Sequence, residues 1–223
     1  MTTASSTPAS ASSACAILWA DPARQQAFEA WLSAQASRHS VRPATLRSAS
    51  ADASFRRYFR VDAPQGSLII MDAPPDKEDC HPFVAVARLL EAGGVGVPHI
   101  LEWDEAQGFM LLSDLGQHTF LATLEATDYE HAPGSVNRAR YLSAIDELVR
   151  LQAVPADSLP PYDDALLQRE MDLLPDWYLT QLRGITLDDD TRALLDTAFA
   201  LIKTEVLAQP TGFVHRDYHS RNL

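Results

Sequence analysis

The sequence has few of the residues that would tie it to a membrane or to an oxidising compartment. Its 223 residues include two cysteines, Cys15 and Cys80, which are too few for a disulfide framework and lack metal-ligand spacing. No apolar run approaches the roughly 18 residues of a membrane-spanning helix. The N-terminus also lacks the basic region with which a secretion signal begins. We therefore expect a soluble protein in the reducing cytoplasm.

Positive charge is scarce as well, and lysine is nearly absent. The formal net charge of −12 disfavours nucleic acid and anionic membrane surfaces as partners, because both would repel the chain. A small polar substrate fits this charge better, and nothing in the sequence indicates an obligate protein partner. Beside 16 arginines there are only two lysines, Lys77 and Lys203, so few ammonium groups are available to hold a phosphate.

The order of hydrophobic patterns predicts an α+β fold of two lobes. Residues 1–20 begin with an uncharged run of Ser, Ala, Thr and Pro, which predicts a disordered tail because it cannot bury enough apolar surface. Residues 21–115 contain β-prone runs and two helical patterns, which predict an antiparallel-sheet lobe. From residue 116 to residue 223 the apolar period changes from two to 3.6, which predicts a helical lobe.

Caps and periodicity predict the elements of the first lobe. A helix begins at Asp21 and Pro22 and continues to about residue 36. In the strand after a small-residue turn, alternation places Phe55, Phe59 and Val61 on one face, and Arg56, Tyr58 and Arg60 on the other. The remaining predicted elements are a buried central strand at 68–71, a helix from Phe83 to Leu90 ended by Gly93 and Gly94, and strands at 99–103 and 109–112.

The small-residue turn at 48–54 contains no glycine. Small side chains nevertheless let backbone N–H groups approach phosphate oxygens, so the turn is compatible with a phosphate-binding loop. A hairpin with a charged outer face explains the same residues equally well. The central strand, where a phosphate-binding lysine is expected, carries Met71 and Asp72 instead, and Lys77 follows the Pro-Pro turn.

Three helical segments are predicted in the second lobe. Apolar faces on residues 141–152 and 194–206 predict core helices. Between them, Glu170 and Trp177 share a helix face if Pro175 does not break the helix. Such a pair could bind a sugar. The indole ring would stack on the sugar ring, and the carboxylate would accept hydrogen bonds from the sugar hydroxyl groups. Core and rim positions are the alternative interpretation.

The last residues, FVHRDYHSRNL, contain an aspartate followed after five positions by an asparagine. In phosphotransferases, a carboxylate accepts the proton of the attacking hydroxyl, while a nearby carboxamide oxygen holds Mg²⁺ against the nucleotide phosphates. We therefore predict Asp217 as the base and Asn222 as the metal ligand. Two alternatives stay open: His215, Asp217 and His219 could converge on a metal, as in a metal-dependent hydrolase, or the segment could be a polar surface loop. Neither explains Asn222.

The order of these parts resembles the aminoglycoside phosphotransferase branch of the protein-kinase-like fold. The similar stretches are SADASFRRYFRV, LIIMDAPPDKEDCHPF, GFMLLSDLG, LPPYDDALLQREMDLLPDWYL and FVHRDYHSRNL. Within the family they are most similar to the anomeric kinases for N-acetylmuramate and N-acetylglucosamine. The resemblance implies ATP and Mg²⁺ as cofactors, phosphorylation of the C1 hydroxyl of the free sugar, and a role in peptidoglycan recycling.

The resemblance also implies roles for single residues. It makes Asp217 the base and Asn222 a Mg²⁺ ligand. The nucleotide-binding candidates are Ala53, Ser54, Phe55, Arg56, Arg57, Lys77 and the hinge residues Ser113, Asp114 and Leu115. The substrate-binding candidates are Glu170, Trp177, His219 and Arg221. Because Met71 replaces the lysine of the fold, either Arg56, Arg57 or Lys77 supplies its positive charge, or ATP is held differently.

The resemblance further implies that the helical lobe is incomplete. A second metal-binding aspartate would lie beyond Leu223, so we expect a catalytically silent fragment of a longer protein. Two other functions are compatible with the sequence. One is phosphorylation of another small alcohol, such as an aminoglycoside, choline or homoserine. The other is the role of a non-catalytic pseudokinase, which the missing lysine suggests.

Overall fold

The chain, seen in a computed structural model, divides into two compact units. The structure describes residues 17–51, 55–124 and 134–223, so residues 1–16 of the expected tail lie outside the described part. The first unit comprises Met1–Asn137 and His219–Leu223, and the second comprises Arg138–Tyr218. The lobe boundary at residue 115 stays a prediction.

The first unit is built around a five-stranded antiparallel sheet. Its strands are β1 (Arg42–Ala51), β2 (Arg57–Ala63), β3 (Gly66–Asp72), β4 (Ile100–Asp104) and β5 (Phe109–Ser113). They lie in the order β1-β2-β3-β5-β4, and Ile70 lies between Phe59 on one neighbouring strand and Leu111 on the other. The predicted central strand is therefore confirmed as β3, which has two strands on each side.

One face of the sheet is covered by helix α1 (Pro22–His39). The Asp21 side chain accepts a hydrogen bond from the N–H of Ala23, and Pro22 occupies the first turn, so the predicted helix start is confirmed. The helix and this sheet face share one buried cluster, formed by Phe28, Trp31, Leu32, Val41, Phe59, Val61, Ile70, Phe109 and Leu111. Alternate strand residues supply it, because successive side chains of a strand point to opposite faces.

The other face of the sheet packs against helix α2 (His81–Ala92). Met71 and Met110 point to this face and lie with Cys80 and Val84 in a second buried cluster. The helix ends at Gly93 as predicted, where the N–H of Gly93 donates to the carbonyl of Leu89. The sheet is therefore sandwiched between α1 and α2.

The remaining elements are helical, as the sequence predicts. They are α3 (Phe120–Thr123), α4 (Val136–Gln152), α5 (Asp164–Leu173), a π-helical segment (Leu174–Leu182) and α6 (Asp189–Leu207). The side chains of Asp163 and Asp188 cap α5 and α6 by accepting hydrogen bonds from the N–H groups of Leu166 and Thr191. In the part of the chain that the structure describes, no helix is both long enough and apolar enough to span a membrane.

The predicted core positions of α4 and α6 are largely exposed, which corrects the expectation from periodicity. On α4, the side chains of Tyr141, Ile145 and Val149 are 49–59% exposed, and on α6 those of Leu194 and Ile202 are 69% and 48% exposed. The buried apolar residues of the second unit include Leu151, Val154, Leu167, Phe199 and Phe213. Periodicity detects an apolar stripe on a helix, but it does not show which surface covers that stripe.

We predict that Phe28→Ala lowers the free energy of unfolding by about 3–5 kcal/mol, because the substitution leaves a cavity in the first cluster. Phe28 is 1% exposed and its ring contacts the rings of Trp19, Phe59 and Phe109. Urea unfolding followed by tryptophan fluorescence measures the loss. The matched control is Phe55→Ala, which removes a side chain that is 62% exposed and should change stability by less than about 0.5 kcal/mol. Equal losses would contradict this account of the core.

Candidate active site

Asp72, at the end of the central strand, is fully buried and lies between two arginines. Its Oδ1 accepts hydrogen bonds from Arg24 Nε and Nη2 at 3.0 and 2.6 Å. Its Oδ2 accepts from Arg57 Nε at 3.0 Å and from Arg57 Nη2. Each guanidinium also stacks on an aromatic ring, Arg24 on Phe109 at 4.0 Å and Arg57 on Trp19 at 3.9 Å. The buried carboxylate is thus paired on both oxygens, as a charge in an apolar interior requires.

This cluster places Arg57 on the face of the sheet that α1 covers. Arg57 lies directly opposite Asp72 in the β2–β3 register, so the two side chains share that face. Met71, which stands in place of the expected lysine, points to the opposite face and is buried against α2. Of the three basic candidates, Arg57 is therefore engaged in holding β2, β3 and α1 together.

The end of the predicted phosphate loop is tied to Glu78. The N–H of Phe55 donates to Glu78 Oε1 at 3.0 Å, and Arg56 Nε donates to Glu78 Oε2 at 3.2 Å. Ala53 and Ser54, also predicted to bind phosphate, lie outside the described residues. Phe55 precedes β2 and is 62% exposed, so its predicted place on the buried face with Phe59 and Val61 is wrong. The alternation begins only where β2 begins, at Arg57.

Lys77 lies beside the same loop end. Its Nζ is 5.2 Å from the centroid of the Phe55 ring, a cation–π contact. The backbone N–H groups of Lys77 and Glu78 both donate to the carbonyl of Pro74 at 2.9 Å, which fixes the turn after β3. The structure therefore brings together Phe55, Arg56 and Lys77, three of the predicted nucleotide-binding residues, and adds Glu78 to them.

In the predicted hinge, Asp114 connects neighbouring parts of the first unit. Its carboxylate accepts hydrogen bonds from Arg60 Nε at 2.5 Å, from Ser67 Oγ at 2.5 Å and from the N–H of Gly116 at 2.9 Å. Burial alone would raise the pKa of this carboxyl, but hydrogen bonds from Arg60, Ser67 and Gly116 outweigh burial and lower the pKa to about 2. The carboxylate consequently holds β2, β3 and the hinge in one arrangement.

The two other hinge candidates differ in their backbone groups. The N–H of Ser113 donates to the carbonyl of His99 at 2.9 Å, so it is used within the sheet. Leu115 is 70% exposed, and its backbone makes no hydrogen bond to another described residue. Leu115 therefore offers a backbone N–H and a C=O for pairing with a planar base edge.

In the second unit, side-chain contacts fix the backbone on both sides of Asp217. Arg216 has a φ of 71°, in the left-handed region that non-glycine residues rarely adopt. Its Nη2 donates to Glu170 Oε1 at 2.6 Å. Tyr218 Oη donates to the carbonyl of Ala144 at 2.5 Å. The exposed Asp217 side chain is thus presented from an anchored segment.

The residues after Tyr218 belong to the first unit. There the first two N–H groups of α3, those of Phe120 and Leu121, donate to the carbonyls of Leu223 and Ser220 at 2.6 and 2.7 Å. His219 accepts from the N–H of Asn222 through its carbonyl and from the N–H of Arg221 through Nδ1. The orphan donors at the start of a helix thereby hold the segment that carries Asn222. The roles of Asp217 and Asn222 stay predictions.

The metal-hydrolase alternative has no support in the geometry. Residues 215–219 form an irregular loop, so the strand alternation that would bring His215, Asp217 and His219 to one side is missing. Over residues 17–51, 55–124 and 134–223, no group of three or more His, Cys, Asp or Glu side chains could hold a metal ion.

Pro175 does not interrupt the helical path between Glu170 and Trp177, but it marks a change of helix type. The chain passes directly from α5 into the π-helical segment. A π-helix has i→i+5 hydrogen bonds, so each residue turns less than in an α-helix. The seven-residue spacing therefore no longer ensures a shared face. Trp177 is 60% exposed and Glu170 is paired with Arg216, so a joint role in binding sugar stays a prediction.

Sequence reasoning missed the structural roles of three carboxylates in the first unit, including that of Asp114, which it assigned to the nucleotide. Glu78 and Asp114 each bind an arginine of the loop–β2 segment, and Asp72 binds Arg57 together with Arg24. The alternation of Arg57 and Arg60 along β2 carries part of the signal, because residues three apart in a strand point to opposite faces and must find partners there. Which acidic residue pairs with which arginine depends on strand order and on the turn after β3.

Residues 45–223 match the model of the phosphotransferase enzyme family. The chain belongs to this family, whose match begins within β1 and covers the rest of the sheet, residues 113–115 and the segment around Asp217. The α+β architecture found here agrees with the protein-kinase-like fold expected from the resemblance.

The chain is also similar to proteins named N-acetylmuramate/N-acetylglucosamine kinase. It is 48% identical to the one from Pseudomonas aeruginosa over 82% of the chain and 52% of the relative. It is 46% identical to the one from Pseudomonas putida over 80% of the chain and 51% of the relative. For Neisseria meningitidis the identity is 40%, over 80% of the chain and 52% of the relative. The chain spans about half the length of the curated relatives it matches.

The hinge pairing predicts an acid-dependent loss of stability. The folded pKa of Asp114 is about 2, below its unfolded value of about 3.9. The ionised carboxylate therefore stabilises the fold above pH 4, by about 2 kcal/mol, and this contribution disappears as the pH falls from 4 towards 2. The free energy of unfolding, measured against pH for the wild type and Asp114→Asn, should show the difference shrinking over that window.

Ser67→Ala serves as the matched control for this prediction. It removes a single hydrogen bond from the Asp114 carboxylate and leaves Arg60 in place, so it should cause a smaller loss of stability than Asp114→Asn. If the difference in the free energy of unfolding between wild type and Asp114→Asn stayed constant from pH 6 to pH 2, the stabilising role of the Asp114 carboxylate would be contradicted.

Proposed function

We propose that this protein acts as an ATP-dependent kinase that phosphorylates the C1 hydroxyl of N-acetylmuramate and N-acetylglucosamine in peptidoglycan recycling. The observation that carries the proposal is the identity of up to 48% with kinases named for these two sugars. The H-R-D-x-x-x-x-N segment around Asp217, in a chain of the phosphotransferase enzyme family, supports the reaction type. The cytoplasm, where ATP is available, is the proposed location.

The donors around the loop end fit the phosphates of ATP. The N–H of Phe55, the guanidinium of Arg56 and the ammonium of Lys77 lie close together and can neutralise phosphate charge. The open backbone of Leu115 suits the adenine edge, and the Asp114 tie keeps that backbone in place. Arg57 supports the loop from the other face of the sheet. Ala53 and Ser54 complete the proposed nucleotide-binding set.

In the proposed reaction, Asp217 accepts the proton of the sugar hydroxyl as that oxygen attacks the γ-phosphorus of ATP. A carboxylate suits this role because it is exposed here and its backbone is anchored on both sides. The carboxamide oxygen of Asn222 is a hard ligand of the kind that Mg²⁺ prefers. Bound Mg²⁺ would neutralise charge on the β- and γ-oxygens.

The sugar is the least constrained part of the proposal. His219 and Arg221 adjoin Asp217 in sequence and can reach hydroxyl or carboxylate groups of an amino sugar. The exposed indole of Trp177 can stack on a sugar ring. For Glu170, we propose a positioning role through Arg216, because its carboxylate pairs with the residue that precedes Asp217.

The reaction is tested by phosphorus NMR of products formed by the full-length protein from ATP and free amino sugars. We expect a sugar 1-phosphate, and we expect Asp217→Asn to lose turnover by about 10²–10⁴-fold with little change in ATP affinity, because a base does not hold the nucleotide. Asn222→Ala should instead raise the Mg²⁺ requirement. A sugar 6-phosphate, or turnover only with aminoglycosides, choline or homoserine, would overturn the proposed acceptor.

The three basic candidates should behave differently when replaced singly by alanine. Arg56→Ala and Lys77→Ala should raise the KM for ATP, because each removes positive charge beside the phosphate loop. Arg57→Ala should instead lower the free energy of unfolding by about 3–5 kcal/mol, because it leaves the buried Asp72 carboxylate half paired. Steady-state kinetics and urea unfolding separate the two effects. A raised KM for Arg57→Ala alone would contradict this division of roles.

A further inference from the structure

Both carboxylate oxygens of Glu78 are bound by donors that the proposed function assigns to phosphate. Oε1 receives the backbone N–H of Phe55 at 3.0 Å, and Oε2 receives Arg56 Nε at 3.2 Å. The side chain of Glu78 is 14% exposed and that of Arg56 is 24% exposed, so this contact is partly shielded from water. The ammonium of the neighbouring Lys77 lies over the Phe55 ring. A negative group is therefore already seated at this site.

The arrangement has the chemistry of an anion site. A backbone N–H and a guanidinium N–H converge on two oxygens of one anion, which is how proteins bind carboxylate and phosphate groups alike. The two kinds of anion therefore compete for the same two donors. Replacement of the internal carboxylate by a nucleotide phosphate would leave both donors satisfied.

We propose that Glu78 is an internal substitute for a nucleotide phosphate, which ATP must displace when it binds. This inference rests on the proposed function, and it adds a regulatory element to the nucleotide site. The apparent affinity for ATP is then lowered by the fraction of molecules in which Glu78 occupies the donors. Glu78 thereby keeps the loop end ordered in the empty protein and disfavours ligands that lack a phosphate chain.

The structure provides for this displacement without unfolding of the turn. The N–H of Glu78 donates to the carbonyl of Pro74, so the backbone stays anchored when the side chain rotates. Glu78 also lines an open cavity of about 360 Å³, which gives its side chain space to rotate; the other charged or titratable lining residues are Asp79, Cys80, His81 and Glu105. Both ring nitrogens of His81 in that cavity already contact carboxylates, Nδ1 that of Asp79 and Nε2 that of Glu105, so we place the displaced carboxylate in solvent rather than on His81.

The test compares wild type, Glu78→Gln and Glu105→Gln of the full-length protein by titration calorimetry with ATP, tripolyphosphate and adenosine. In Glu78→Gln the side-chain amide can still accept the N–H of Phe55 but carries no charge. Glu105→Gln removes the same charge from a carboxylate that pairs with His81 rather than with the loop. We expect Glu78→Gln to bind ATP and tripolyphosphate at least about threefold more tightly than wild type, with adenosine and the Glu105→Gln control unchanged.

The outcomes separate this inference from the function on which it rests. Weaker or unchanged binding of tripolyphosphate by Glu78→Gln would overturn the internal-substitute role. The same gain in affinity for Glu105→Gln would also overturn this role, because the loss of any nearby negative charge would then explain the tighter binding. Tighter tripolyphosphate binding without any ATP binding in either protein would support the anion site and refute the proposed kinase function.

Discussion

Burial of one carboxylate, that of Asp72, is the constraint on which the first unit depends. Its side chain is fully inaccessible, and a charge in that position must be paired on both oxygens, because an unpaired buried charge costs about 3–5 kcal/mol. Arg57 comes from the adjacent strand and Arg24 from α1, so the pairing joins three elements at one point. The aromatic rings of Phe109 and Trp19 cover the two guanidinium groups and complete the desolvated site.

This pairing also determines which basic side chains are available to the proposed nucleotide site. The central strand β3, all of which the structure describes, contributes no cation to the face that carries α2, where Met71 is packed. Arg57 of the neighbouring strand β2 is held by Asp72 on the opposite face. Positive charge there comes from Arg56 and Lys77, which flank the loop end and the turn after β3. In the proposed function, Arg56 and Lys77 meet the usual electrostatic requirement of phosphate binding in place of a lysine on the central strand. Glu78 balances that charge in the empty site.

The segment around Asp217 is likewise held by different elements along its length. Arg216 and Tyr218 are anchored by Glu170 and by the carbonyl of Ala144 in the helical unit, while the residues that follow are held by the first N–H groups of α3 in the sheet unit. Side-chain contacts to distant helical residues therefore fix the segment of the proposed base, and backbone hydrogen bonds fix the segment of the proposed metal ligand. The side chain of Asp217 itself is exposed to solvent, as a base that must reach a substrate hydroxyl requires.

The sequence by itself determined α1, α2, the helical character of the second unit, the central position of β3 and the Asp-x-x-x-x-Asn segment, because periodicity, caps and motif spacing are local properties of the chain. It did not predict β1, and residues 48–51, expected in a turn, belong to that strand. It also identified Arg56, Arg57 and Lys77 as the basic candidates without distinguishing them. Only the tertiary structure decided that Arg57 pairs with Asp72, that Glu78 binds the loop end, and that Asp114 ties the hinge. The physical reason is that ion pairs between residues 15 to 54 positions apart depend on strand order, on register and on the face to which each side chain points.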